Sequence, residues 1–202
     1  MSLWLVGLGP SPELDDLTPR AERVLRCCEE VWLDLVTAGG GERRKRALEA
    51  LLGRSLRLAT TLDQQERNVL ALAAQVHEVA LAVAGDPLVA TPHGFFLREL
   101  RARGTAVQVV PGLPAWTSVA SLDGLDAAHV QVVVVSDPAA PTAPELQAIE
   151  QALGKGKAVT VLAAGREPEV PAEDWRQLAD RWPGMAQAIS LEGGGVTLLI
   201  RR

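Results

Sequence analysis

The sequence predicts an α/β fold with a mainly parallel sheet in a first domain and a smaller mixed sheet in a second. Apolar runs of strand length alternate with stretches of helical periodicity, which is typical of a parallel sheet covered by helices. Two of these runs end in glycine turns, at Gly7–Pro10 and at Gly85–Pro87. The end of the chain instead contains two short apolar runs on either side of residues 192–195, which indicates a closing hairpin.

We expect the first domain to comprise residues 1–112. It opens with a strand at Leu3–Leu8, and Thr18 then predicts a helix start because its hydroxyl can cap free N–H groups and Pro19 fits the first helical position. Asp63 is a second candidate cap, for a helix in which Val69, Leu72 and Val76 share one face. The other expected elements are strands Glu30–Val36, Ser55–Ala59, Val79–Ala84 and Ala106–Val110, and helices Glu42–Leu52 and Phe95–Arg103.

The second domain is expected to comprise residues 113–202, with the boundary near residues 112–128. Thr142 and Glu145 form a capping-box pattern, which predicts the start of a helix. The expected elements are strands Val130–Ser136, Lys157–Ala163, Met185–Leu191 and Val196–Ile200, and helices Thr142–Leu153 and Pro171–Arg181.

Composition excludes several classes of protein. Of the 202 residues, 48 % are hydrophobic, which is enough for a core, yet no apolar run is long enough to span a membrane. The net charge of −5 and the scattered basic residues argue against a general nucleic-acid binder. Adjacent Cys27 and Cys28 indicate neither a disulfide framework nor a metal site. With no basic segment before the first apolar run, we expect no signal peptide and a cytoplasmic location.

The two glycine turns are the candidate binding elements. Open α/β sheets bind ligands beyond the carboxyl ends of their strands, and a glycine there lets the backbone approach a ligand closely. Asp86 adds one charged acceptor to the second turn. Pro12 replaces the last glycine of a dinucleotide fingerprint, and no phosphate-binding loop of the Gly-Lys-Ser/Thr type is present. Taken alone, each turn could also be an ordinary connection without a binding role, because glycine, proline and aspartate are common turn residues.

Together, these turns and their flanks resemble the tetrapyrrole methylase superfamily, which includes corrin and porphyrin methylases and diphthine synthases. Residues 3–10 (LWLVGLGP) look like the family's first strand and loop, and residues 31–37 (VWLDLVT) like the second strand of diphthine synthases. Residues 85–93 (GDPLVATPH) resemble the cofactor loop of that group, and residues 109–112 (VVPG) resemble the turn before the second domain. The resemblance covers roughly residues 3–120.

The resemblance implies a methyltransferase that uses S-adenosylmethionine in a cleft between two domains, and a homodimer. Its acceptor would be tetrapyrrole-like or diphthine-like, and no catalytic residue or metal is assigned. The residues expected to contact the cofactor are Gly9, Pro10, Gly85, Asp86, Val89, Pro114, Ala115, Val135 and Ala164.

Departures from the family pattern fall on the substrate side. The region after Leu125 is short, Ala163 stands where an arginine is expected, and residues 187–192 hold no matching histidine. A catalytically inactive cofactor-binding or dimerising scaffold is therefore an alternative, and binding of another nucleotide is a third.

Several other residues have open interpretations. The basic run Arg43–Arg46 is expected to form either a solvated helix face or a contact for an acidic substrate. His93 is expected to lie at the start of a helix beside the pocket. Trp116 fits either the core or the cleft, while Asp34 and Asp123 are carboxylates near strand ends or the hinge.

Overall fold

A computed structural model describes residues 1–36, 41–89, 91–117, 128–163, 170–190 and 196–201. The chain divides into two compact units, Met1–Pro114 and Ala115–Arg202. One unit holds a parallel sheet and the other a mixed sheet, so the predicted fold class is confirmed.

The first unit is built on five parallel strands in the spatial order β3-β2-β4-β1-β5. β4 lies at the centre, and all five of its residues are buried, as expected for a parallel strand covered on both faces. The strands are β1 (Leu3–Gly7), β2 (Glu30–Asp34), β3 (Arg57–Ala59), β4 (Val79–Val83) and β5 (Val107–Val110). The helices are α1 (Pro19–Cys27), α2 (Gly41–Leu52), α3 (Gln64–Val76) and α4 (His93–Ala102).

The helices cover the two faces of this sheet in pairs. α1 and α2 place Ala21, Leu25 and Leu48 in one core cluster. α3 and α4 contribute to the opposite cluster, which includes Leu70 and Leu100. The connections that follow β1 and β2 therefore leave on one face, and those that follow β3 and β4 leave on the other.

Both predicted helix caps are present. The Thr18 hydroxyl accepts a hydrogen bond from the Ala21 N–H at 3.1 Å, and the Asp63 carboxylate accepts one from the Glu66 N–H at 2.9 Å. In α3, the three residues predicted to share one face of the helix form a stripe that points away from the sheet. These three residues are exposed, and the buried residues of the helix are interleaved with them in the sequence. The exposed stripe is Val69, Leu72 and Val76, and the buried residues are Leu70, Ala71 and Ala74.

The second unit holds a four-stranded mixed sheet in the order β6-β7-β9-β8. The first two strands are parallel, and the last two form the predicted antiparallel hairpin. The capping box of Thr142 and Glu145 is formed. The elements are β6 (Val130–Val135), α5 (Ala143–Gly154), β7 (Ala158–Ala163), α6 (Ala172–Ala179), β8 (Ala186–Ser190) and β9 (Val196–Ile200). Among the helices of the described ranges, none combines the length and the apolar run that crossing a membrane requires.

Glu78 joins the amino ends of the neighbouring strands β1 and β4. Its carboxylate accepts hydrogen bonds from the Trp4 indole N–H at 2.6 Å and from the Ser2 hydroxyl at 2.8 Å. The Trp4 hydrogen bond is the largest of the interactions that lower the pKa of Glu78 to about 2. Because the pKa is lower in the folded protein, ionised Glu78 favours the folded state.

We expect Glu78→Gln to lower the stability of the first unit near neutral pH. The stability that ionised Glu78 contributes is complete above the ordinary carboxyl pKa of 4.5 and is lost as the pH falls toward about 2. Denaturant midpoints measured across this range should therefore converge for the variant and the unmodified chain. Glu22→Gln, which alters an exposed helical ion pair with Arg26, is the matched control and should change little. A stability difference for Glu78→Gln that is independent of pH would contradict the assignment.

Candidate functional site

The site predicted from the sequence lies where adjacent strands send their connections to opposite faces. β1 and β4 are hydrogen-bonded neighbours, yet β1 leads to α1 on one face and β4 leads to α4 on the other. The opposed connections leave a crevice beyond the carboxyl ends of these strands, and open α/β sheets bind ligands in such crevices. We name residues 8–12 the Gly9 loop, and residues 85–89 with 91–92 the Gly85 loop.

A pair of backbone hydrogen bonds joins the two loops. The Gly9 N–H donates to the Gly85 carbonyl at 3.2 Å, and the Gly85 N–H donates to the Gly9 carbonyl at 2.9 Å. Both glycines have positive φ angles, of 78° and 68°, where a side chain would be strained. A Cβ on Gly9 would also lie 2.3 Å from the Cβ of Asp16. The two turns thus depend on glycine for both their conformation and their contact.

Gly112, just after β5, and Gly7, at the end of β1, also lie too close to neighbouring backbone to carry a side chain. A Cβ on Gly112 would lie 2.2 Å from the Gly85 carbonyl oxygen, and a Cβ on Gly7 would lie 2.4 Å from the Gly112 nitrogen. The backbones that follow β4, β1 and β5 therefore approach more closely than any other residue allows.

Asp86 connects the Gly85 loop to the turn after β5. One carboxylate oxygen accepts from the Leu88 N–H at 2.8 Å, and the other accepts from the Gly112 N–H at 3.2 Å. The Asp86 carbonyl accepts from the Val89 N–H at 3.2 Å, which completes a tight turn. The Asp86 side chain is half-buried. Each of its oxygens keeps a lone pair beyond these bonds, so the carboxylate can still accept hydrogen bonds from a ligand.

Arg44 holds the Gly9 loop in place through hydrogen bonds to its backbone, a role that the sequence interpretation missed. The side chain is 2 % exposed, and its guanidinium donates to the carbonyls of Ser11 at 2.7 Å, Pro10 at 2.9 Å and Gly9 at 3.4 Å. Burial lowers the pKa of Arg44 to about 10. The predicted solvated face is thus wrong at this position. Leu48, one turn further along α2, is also buried, and this helical spacing was the available signal.

Two neighbours of Arg44 on α2 are exposed to solvent, as the sequence interpretation predicts. Arg43 is exposed and pairs with Glu13, and Arg46 is exposed and pairs with Glu42 at 3.1 Å.

The structure brings three of the predicted cofactor contacts together in the first unit, namely Gly9, Gly85 and Asp86. Pro10 and Val89 lie in the same two loops and are half-buried. Pro114 and Ala115 are also half-buried, and they are the last and first residues of the two units. Val135 is buried at the carboxyl end of β6 in the second unit. Ala164 lies outside the described residues, as does Asp123.

Two further candidates form a buried pair. The Asp34 carboxylate, at the end of β2, lies 3.0 Å from the His93 ring nitrogen Nε2, at the start of α4. Neither side chain has any exposed surface, so His93 does not face an open pocket. Trp116 is half-buried. Within the described part of the chain, no cluster of three or more His, Cys, Asp or Glu side chains is placed to hold a metal ion.

Comparison with known proteins agrees with this architecture. The family profile of the Tetrapyrrole (Corrin/Porphyrin) Methylases matches residues 2–196. The chain belongs to this family. A crystal structure of diphthine synthase superposes on this chain with a TM-score of 0.82 at 17 % sequence identity. The superposition covers 100 % of this chain and 90 % of the diphthine synthase chain, which shows that the two share a fold.

Sequence relatives of this family member carry several different names. A diphthine synthase of Methanothermobacter thermautotrophicus is 31 % identical over 146 residues, or 70 % of this chain and 55 % of the relative. A siroheme synthase of Pseudomonas aeruginosa is 35 % identical over 130 residues, or 63 % of this chain and 28 % of the relative. The chain spans about half the length of the curated relatives it matches.

We expect Gly112→Ala to destabilise the first unit by about 1–3 kcal/mol, because the new methyl group overlaps the Gly85 carbonyl and the backbone must move. Gly94→Ala in α4 is the matched control, since a Cβ there has its nearest contact at 3.9 Å. It should stabilise by up to about 1 kcal/mol, as expected for a helical glycine. Denaturant unfolding measures both effects. Equal stability of the two variants would refute the close packing.

We expect Arg44→Met to cost on the order of 3 kcal/mol, since it leaves buried carbonyls of the Gly9 loop without their donors. Arg46→Met on the same helix removes an exposed pair and should change the free energy of unfolding by less than about 0.5 kcal/mol. Denaturant midpoints compare the two. If both variants are equally stable, Arg44 does not brace the loop.

Proposed function

We propose that this chain is a methyltransferase that uses S-adenosylmethionine, with the Gly9 and Gly85 loops as the binding site for the methyl donor. The observation that carries the proposal is the half-exposed Asp86 carboxylate, fixed by two backbone N–H groups at the crevice between β1 and β4. Membership of the methylase family supports the choice of methyl donor.

The chemistry of the two loops fits such a donor. Asp86 offers acceptor sites for hydroxyl or ammonium groups, while Pro10 and Val89 offer apolar surface beside it. Few charged groups are needed, because S-adenosylmethionine brings a methyl group already activated by its positively charged sulfur. The residues of the site would orient the donor and keep water away from the reacting atoms.

In the proposed reaction, a lone pair of the acceptor forms a bond to the methyl carbon. The carbon–sulfur bond breaks, its electron pair stays on sulfur, and S-adenosylhomocysteine is the product. An acceptor that carries a proton passes it to a base or to water. The role of the Gly9 and Gly85 loops is to hold the donor so that its methyl group lies in line with the acceptor.

We propose a tetrapyrrole-like or diphthine-like acceptor, in view of the siroheme synthase and diphthine synthase relatives. Pro114, Ala115 and Val135 remain proposed donor contacts, and a homodimer remains the proposed assembly. Ala163, which stands where the family resemblance leads us to expect an arginine, favours one alternative, a protein that binds the donor without transferring its methyl group.

We expect calorimetric titration to show one saturable site for S-adenosylmethionine, with S-adenosylhomocysteine bound at least as tightly. Asp86→Ala should weaken both affinities by about tenfold or more, since a charged hydrogen bond contributes roughly 1.5–3 kcal/mol. Asp63→Ala, which removes an exposed helix cap in the same unit, is the matched control and should leave the affinities unchanged.

The outcomes separate the alternatives. Binding without transfer to any tetrapyrrole or diphthine acceptor would favour the inactive scaffold. Competition by adenine nucleotides would favour a different nucleotide ligand. No binding at millimolar concentrations would contradict the proposed function.

A further inference from the structure

The Asp34–His93 pair occupies a second crevice of the same sheet, between β2 and β4. β2 is the other neighbour of β4, and its connection leads to α2, on the face opposite to α4. Side chains alternate along β2, so Asp34 lies on the same face as Trp32, which packs in the cluster that includes α4. The carboxylate therefore points to the side of the sheet where His93 begins its helix.

This pair is fully desolvated. The Nε2···Oδ2 distance of 3.0 Å is that of a close polar contact, although its alignment falls outside hydrogen-bond geometry. The other Asp34 oxygen accepts from the Val36 N–H at 2.8 Å, which fixes the carboxylate at the end of β2. Removing a buried polar group from such a contact is costly because its partner stays desolvated.

His93 also marks the point where the Gly85 loop ends and α4 begins. α4 has no side-chain cap of its own, since Pro92 precedes it. The His93 N–H donates to the Thr91 hydroxyl at 3.4 Å, and that hydroxyl donates to the Pro87 carbonyl at 2.5 Å. A continuous series of contacts thus runs from Asp34 to Pro87, the residue next to Asp86.

We propose that Asp34 and His93 are positioning residues that fix the far end of the Gly85 loop and thereby set the affinity for the methyl donor. Asp86 ties the near end of this loop to Gly112, and the buried pair ties the far end to β2. Neither member of the pair touches a ligand, because neither has exposed surface. The link to affinity rests on the proposed function, whereas the effect on the loop does not.

The closing experiment uses two substitutions of one residue. In His93→Gln, the amide nitrogen can occupy the place of Nε2 and still face Asp34. In His93→Asn, the side chain is too short and reaches only the place of Nδ1. His93→Gln thus keeps the contact with Asp34 and His93→Asn removes it, while the polarity of the side chain stays similar. If His93→Gln behaves like the unmodified chain, the position of the nitrogen matters and not the imidazole ring itself.

Amide hydrogen exchange in the full chain is the first readout, and it needs no ligand. The Leu88 and Val89 N–H groups donate within the Gly85 loop. Their exchange should become about tenfold faster in His93→Asn and stay near the unmodified rate in His93→Gln, because only the shorter side chain frees the loop to open.

Calorimetric affinity for S-adenosylhomocysteine is the second readout. We expect a loss of roughly 10-fold to 100-fold in His93→Asn and little loss in His93→Gln, since a misplaced contact loop costs affinity on that scale. His77→Asn is the matched control, because His77 also faces a carboxylate, Glu29 at 2.9 Å, but is exposed beyond the amino end of β4. Leu100→Ala destabilises α4 without altering the pair, which separates lost stability from lost positioning.

The outcomes are distinct. Loop exchange that is faster in His93→Asn but not in His93→Gln supports the inference. This holds even if neither the unmodified chain nor the variants bind S-adenosylhomocysteine, and in that case only the proposed function fails. Unchanged loop exchange in His93→Asn overturns the inference. An equal loss of affinity in His93→Asn and Leu100→Ala overturns it as well.

Discussion

The close approach of three backbone segments at the carboxyl ends of β4, β1 and β5 is the constraint on which the rest of the first unit depends. Gly7, Gly85 and Gly112 meet at distances that exclude a Cβ on Gly7 or Gly112. Asp86 reaches the Gly112 N–H only because the turn after β5 lies so close. The bridge between Gly9 and Gly85 is a further consequence, since two loops without intervening side chains can pair through their backbones.

Buried polar groups then fix both loops. Arg44 donates hydrogen bonds to three backbone carbonyls of the Gly9 loop, and the Asp34–His93 pair lies where the Gly85 loop ends and α4 begins. Burying such groups costs free energy, and well-packed apolar residues often replace them without loss of stability. What they add is a defined geometry, because hydrogen bonds and charges have preferred directions that apolar contacts lack.

The positions of these elements explain how the family's fold serves a small site. In the first unit, the residues proposed to contact the methyl donor follow three neighbouring strands, and the groups that hold their loops in place come from α2, β2 and α4. A donor with an activated methyl group needs alignment more than it needs acid or base groups. The proposed site, a crevice with one fixed carboxylate and apolar neighbours, would meet that need with few residues.

The sequence by itself determined the fold class, most element positions, the caps at Thr18 and Asp63, and the two glycine turns. These features are local, since strand runs, cap residues and turn glycines act within a few positions of the chain. Only the tertiary structure decided that Arg44 is buried, that Asp34 meets His93, and that the α3 stripe faces outward. Each of these depends on which segments pack together, and residues such as Asp34 and His93 become neighbours only when β2 and β4 pair.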